Sequence, residues 1–325
     1  MKSKEMTFAI GLVLVMAIIT ASNNFVFALQ SNHTTILITN NSAFTSVSGV
    51  TSGSGTALNP YIIENLSIDA SGANGIQIQN TTVYFIIRNC LVENEGTNFY
   101  GIYLDNTTNG EIMNNVCNNN HIGIILSNSS YENLTNNVCK NNYLGIYLES
   151  SSYNNLSSDI CVSNSYGISL EDNVSNNNII YHNTCLNNDV DGIFLNSPSY
   201  NNLINNTCKY NKNGIYLLSS LHNNMTANIC SYNYLYGIKL DNSSYNTLFK
   251  NTCNNNLYEN NIQLDQFSID NVLSNNNTTM PQTIVSTPTP IAFNLIFTSL
   301  VFLPSLVLIV LVSNKLSKRN KKENQ

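Results

Sequence analysis

Residues 145–166, GIYLESSSYNNLSSDICVSNSY, decide the fold, because most of the chain is that unit written again. Gly-Ile pairs begin at Gly75, Gly101, Gly123, Gly145, Gly167, Gly192, Gly214 and Gly237, at spacings of 22 to 26 residues. A degenerate ninth copy, Asn261-Ile262-Gln263-Leu264, follows. A fixed period of roughly 20–50 residues is the signature of a solenoid, in which each copy buries its apolar face only against its neighbours.

With the glycine as position 0, position +1 is Ile in every Gly copy. Position +3 is Ile78, Leu104, Leu126, Leu148, Leu170, Leu195, Leu217 or Leu240. That alternation is a strand with one buried face. A second apolar residue stands near +11: Ile112, Leu134, Leu156, Leu203, Met225 and Leu248, with Ile179 one place later. Cysteine follows in each unit, as Cys90, Cys117, Cys139, Cys161, Cys185, Cys208, Cys230 and Cys253. Two polar columns bracket it, exemplified by Asp159 and Asn164 around Cys161; the first copy departs, with Arg88 and Glu93 around Cys90.

No part of the unit sustains a helical period for the ten or so residues a helix needs. Three short strands and their bends fill it instead, and Asn suits the bends because it tolerates the left-handed region and bonds nearby backbone. The expectation is an all-β parallel β-helix of about nine to ten coils, stacked ~4.8 Å apart. A leucine-rich-repeat horseshoe has a similar period. It also needs a helical half and an L-x-L-x-x-N spacing, which the chain lacks.

The expected organisation is 1–28 signal peptide, 29–74 N-terminal cap and first coil, 75–277 repeats, 278–290 Thr/Pro stalk, 291–312 transmembrane helix and 313–325 basic tail. Lys2 and Lys4 precede an apolar core from Phe8 to Ile19, and Val26-Phe27-Ala28 suits cleavage. An uncleaved anchor is the alternative. Ile291 to Val312 is predominantly apolar and carries no charge, long enough for a ~30 Å hydrocarbon core. Lys315, Lys318, Arg319, Lys321 and Lys322 follow, which predicts a cytoplasmic C-terminus and an external repeat domain in a single-pass membrane protein. Between Leu29 and Pro290 six Lys/Arg face seventeen Asp/Glu. Such a balance excludes nucleic acid, whose phosphates need basic contacts, and disfavours polyanionic sugars.

Gly53-Ser54-Gly55-Thr56, then Asn59-Pro60-Tyr61-Ile62-Ile63-Glu64-Asn65, then Tyr84-Phe85-Ile86-Ile87-Arg88-Asn89-Cys90, resembles the entry to NosD-like archaeal surface proteins. The resemblance spans about 35 to 275. It implies a right-handed parallel β-helix of pectate-lyase-like architecture, and its family name implies copper handling. The fold hosts unrelated functions, so it does not fix an activity.

The cysteines recur where an inward Ile or Val would serve, and free Cys behaves as a small buried hydrophobe. A thiol ladder is the expectation; some disulfides and a soft-metal site are the alternatives. His33, His121, His182 and His222 occupy unrelated repeat positions, so no metal site or cofactor is assigned. Positions +2 and +4 face outward when +1 and +3 face inward. They supply the candidate glycan-binding face: Tyr103, Asp105, Tyr147, Glu149, Glu171, Phe194, Tyr216 and Asp241. The bland reading is an ordinary exposed sheet rich in residues of high β-propensity. A second ring column, Tyr131, Tyr153, Tyr200, His222 and Tyr245, reads as packing at a bend. Glu149 and Glu171 on successive coils, and Asp189 with Asp191 on one, are carboxylate pairs of the kind a glycosidase uses. No lid or wall insertion accompanies them, and no catalytic residue is assigned. The functional expectation is an anchored structural, adhesive or glycan-binding protein, whose partners are the membrane and a surface polysaccharide or protein. A carbohydrate-active enzyme and a copper-handling protein are the alternatives.

Overall fold

The computed structural model describes residues 30–94, 98–257 and 261–279. The chain divides into two compact units, Met1–Pro281 and Gln282–Gln325. The expected signal peptide, the stalk beyond Thr279, the membrane helix and the basic tail lie outside the described residues. Among the described residues no helix is long and apolar enough to cross a membrane.

The described part is a right-handed parallel β-helix of about nine turns. Three sheets of eight, eleven and ten strands run along it, and through the central coils each takes every third strand of the chain. One coil lays down Leu144–Glu149, Asn155–Ser157 and Ile160–Val162 in turn. Its inward residues Ile146, Leu148, Leu156 and Cys161 are fully buried. Each sits on its counterpart in the next coil: Ile146 on Ile168, Leu148 on Leu170, Leu156 on Ile180 and Cys161 on Cys185. Like pairs with like, so the core is a set of stacked columns.

Buried amides hold the corners. Asn142 donates its Nδ2 to the Asn164 side-chain oxygen at 3.1 Å and to the Cys117 carbonyl at 3.2 Å. The same Asn164 oxygen accepts the Asn142 backbone N–H at 2.9 Å. One amide thus satisfies groups on two coils that the bend removes from the sheet ladders, for roughly 1 kcal/mol net per bond. Two such columns match the repeat pattern. The third, Asn154, Asn178, Asn201, Asn223 and Asn246, emerges only in three dimensions. It follows directly on the Tyr153 ring column, which masks it in the sequence.

Glycine is required at position 0 by close approach. A Cβ on Gly145 would lie 2.4 Å from the Gly167 carbonyl oxygen, 3.0 Å from Asn164 Nδ2 and 3.2 Å from Cys161 Cβ. The same corner explains the cysteines: a small side chain is needed beside that glycine.

Two places depart from the repeat reading. Cys117 pairs with Val92, not with Cys90. Cys90 stands two residues earlier and donates its N–H to Asn115 Oδ1, so it ends the Asn column and Val92 begins the thiol column. Ile180, not Ile179, fills the core place; Ile179 is exposed. The cause is an insertion of two residues. Ser150 bonds Asp172 while Ser151 bonds Ser175, so Asn173 and Val174 bulge out and delay the next strand.

Candidate functional site

The outward face of the ten-stranded sheet carries the candidate residues. Tyr103, Tyr147, Phe194 and Tyr216 are half-buried, because their rings lie against neighbours along the sheet. Asp105 and Glu149 stand two residues after Tyr103 and Tyr147, Glu171 two after Ser169 and Asp241 two after Lys239, in the strands Tyr100–Thr107, Leu144–Glu149, Tyr166–Glu171 and Ile238–Asp241. Glu149 pairs in register with Glu171. Tyr147 donates its hydroxyl to Glu171 Oε2 at 3.3 Å, and Tyr216 donates to Asp241 Oδ2 at 2.8 Å. Lys239 Nζ lies 2.5 Å from Asp241 Oδ2 and 4.6 Å from the Tyr216 ring centre. Gln79 Nε2 donates to Asp105 at 3.0 Å. The Tyr147 hydroxyl is held far above the usual phenol range, by burial first and then by the charges of Glu171 and Glu149.

Position −1 joins this face, which the repeat pattern alone does not reveal. The bend at each glycine turns that residue outward. Tyr100 and Tyr103 therefore meet on one strand, ring centres 5.4 Å apart. Ile122, Ile125 and Leu144 form a small buried cluster there, covered by Tyr100, Tyr103, Tyr147 and Tyr166. The ring row continues through Tyr166, Phe194 and Tyr216 at 5.5 and 5.3 Å. Position −1 turns polar at Asp191 and Asn213, and position +2 shrinks to Ser169. Burial raises the Asp191 carboxyl to about 6, against the opposing effect of Asn213, Lys212 and Lys239.

The second ring column is exposed. Tyr131 stacks on Tyr153 at 5.4 Å, and Tyr200, His222 and Tyr245 stack at 4.9 and 5.1 Å. All five adopt positive φ, so they mark a corner at which the chain turns.

The copper that the resemblance implies finds no fitting donor set. Among the described residues no group of three His, Cys, Asp or Glu side chains is placed to hold a metal ion. The eight thiols are free and buried. Two further carboxyls are buried away from the outer face. Glu132 accepts from Thr107 Oγ1 at 2.8 Å and from the Gly110 N–H at 2.6 Å, and burial raises it to about 7. Asp159 replaces an asparagine in a corner column; its Oδ2 has no hydrogen-bond partner, and burial holds its carboxyl well above the carboxylate range.

The fold is shared with solved sugar-modifying proteins at low identity. The periplasmic alginate epimerase AlgG aligns at 13% identity with a TM-score of 0.52, over 77% of this chain and 86% of the epimerase. The A-module of the Azotobacter vinelandii mannuronan C-5 epimerase AlgE6 aligns at 13% identity with a TM-score of 0.51, over 68% of this chain and 75% of that module. No curated protein sequence matches. A family model described as periplasmic copper-binding protein (NosD) matches residues 97–290, more than half of the chain, and the protein therefore belongs to the NosD family.

Proposed function

We propose that this protein is a non-catalytic glycan-binding β-helix held at the outer cell surface by its C-terminal apolar segment. The observation that carries the reading is the coupling of ring to carboxylate on one flat face, in Tyr147–Glu171 and Tyr216–Asp241. Rings offer apolar area to the C–H face of a sugar, and carboxylates accept from its hydroxyls. Because each pair is hydrogen-bonded before any ligand arrives, little side-chain freedom is lost on binding. The acidic balance of residues 29–290 favours neutral sugars over polyanions. The alginate epimerases show that this fold is compatible with work on a polysaccharide.

The test is a glycan array of neutral and anionic oligosaccharides probed with the full-length chain, followed by calorimetry on the hits. Tyr147→Ala and Tyr216→Ala should each weaken a neutral hit about tenfold, equivalent to about 1.4 kcal/mol. Absence of binding to every glycan class overturns the reading. Turnover of a bound glycan that disappears in Glu149→Gln or Glu171→Gln replaces it with a carbohydrate-active enzyme.

A further inference from the structure

We infer that Ser169, Asp191 and Asn213 form the floor of a single-sugar subsite that takes the vicinal hydroxyls of a neutral pyranose. This deepens the glycan-binding reading and rests on it. Along the outer face, position +2 reads Tyr103, Ile125, Tyr147, Ser169, Phe194 and Tyr216. Ser169 is the one small residue in that run, and it pairs in register with Tyr147 on one side and Phe194 on the other. Position −1 reads Tyr100, Ile122, Leu144 and Tyr166, then Asp191 and Asn213. The small residue and the two polar ones fall on three successive coils, so a polar notch interrupts an otherwise aromatic and aliphatic face.

The groups of this notch are not consumed by the fold. Ser169 and Asp191 are each 1% exposed and Asn213 is 4% exposed. Asn213 Nδ2 donates to Asp191 Oδ1 at 2.8 Å, which aligns amide and carboxylate side by side. Ser169 Oγ and Asn213 Oδ1 have no hydrogen-bond partner. A buried, unpaired polar atom costs about 1–3 kcal/mol, and three adjacent apolar side chains would have avoided that cost. A hydroxyl pair supplies what is missing: each hydroxyl donates to an acid or amide oxygen, and one of the two accepts the single proton of the serine hydroxyl. The rings of Tyr166 and Phe194, 5.5 Å apart and tilted by 34°, flank the floor and give the apolar face of the sugar a surface to meet. Entry requires one of these half-buried rings to rotate outward.

Two substitutions test the floor separately from the face, in the full-length chain against the strongest neutral oligosaccharide. Ser169→Phe extends the aromatic row and fills the notch. Asp191→Asn keeps shape and removes the carboxylate. Each should weaken binding at least tenfold, and Asp191→Asn should do so with the melting temperature at or above that of the parent. A crystal soak with the corresponding monosaccharide should place two adjacent hydroxyls on Asp191 and Asn213. If both variants bind as the parent does while Tyr216→Ala still weakens binding, the subsite is wrong and the glycan-binding face stands. If the chain binds no glycan at all, the reading of the face falls and takes the subsite with it.

Discussion

The two ends of the β-helix solve one problem in opposite ways. A stack of coils exposes its core at both ends unless something covers it. At the N-terminal end Phe44 is buried in the core cluster, stacked on Tyr61 at 4.7 Å and tilted against Phe85 at 5.8 Å. Two short 3₁₀ turns, Asn41–Ala43 and Ser46–Ser48, carry it there, the second with a capping box between Thr45 and Ser48. Val50–Ser52 then pairs antiparallel with the outer side of Tyr61–Glu64, which blocks the free edge of that sheet. At the other end the columns run out. Ile262 and Leu264 are only partly buried, and Phe267, Ile269, Val272 and Leu273 are exposed. The strands Ile262–Leu264 and Val272–Ser274 are the last of their sheets. Among the described residues, one end is closed by a dedicated segment, while the other presents apolar side chains and strand edges.

If that contrast is right, the largest effect lies at the closed end. Phe44→Ala removes a buried ring, and should cost about 3–5 kcal/mol. Urea denaturation measures the loss. Amide exchange should show it first in Ile36–Ile38, which pairs with the strand beneath the cap. A loss below about 1 kcal/mol would contradict the assignment of Phe44 as the closure.

The interior calibrates the two ends through the column that holds Asp159. Asn137 donates to Asp159 Oδ1, but Asp159 Oδ2 stands where the same column has a donating amide on neighbouring coils, and it has no partner. Its carboxyl is raised in the folded chain above the ordinary 3.8. The folded state therefore holds a proton that the unfolded chain releases, so this contribution is fully present below about 3.8 and declines as pH rises toward the folded value. Asp159→Asn restores the missing donor. It should stabilise the protein by about 1–3 kcal/mol at neutral pH, with the gain shrinking toward pH 4. Denaturation of both proteins at several pH values checks the sign: a gain that grows on acidification would mean that Asp159 is folded as a carboxylate.

The fold was readable from the period because a parallel stack pairs like with like. Ile146, Leu148 and Cys161 repeat for that reason, and their counterparts can be aligned by eye. What escaped was whatever depends on the path between strands. Asn154 follows an exposed tyrosine and looks like one more polar bend residue, yet it anchors a buried column. Ile179 and Ile180 are adjacent apolar residues, and only the bulge at Asn173 and Val174 decides between them. Cys90 stands within one residue of the cysteine's usual distance from its glycine, yet Val92 holds the place. The outer face was half legible. Alternation put Tyr147 and Glu149 outside, but it assigns position −1 to the inside. The structure reverses that assignment, so Asp191 and Asn213 join the face that carries Ser169 only in three dimensions.

The smallest expected effect lies at the open end, and it bears most directly on the contrast. Leu273 continues the column of Leu248, on which it stacks in register, but Leu248 is fully buried and Leu273 is 45% exposed. The same substitution in the same column should therefore differ by position alone. Leu248→Ala should cost about 2–5 kcal/mol, and Leu273→Ala about 1 kcal/mol or less, since little apolar area returns to water. Exchange should agree, with the amides of Ile262–Leu264 and Val272–Ser274 opening before those of the central coils. If Leu273→Ala costs as much as Leu248→Ala, and those amides are protected like the interior, then the C-terminal end is covered in solution. The asymmetry between the ends would then describe two caps of different construction, one of them outside residues 30–279.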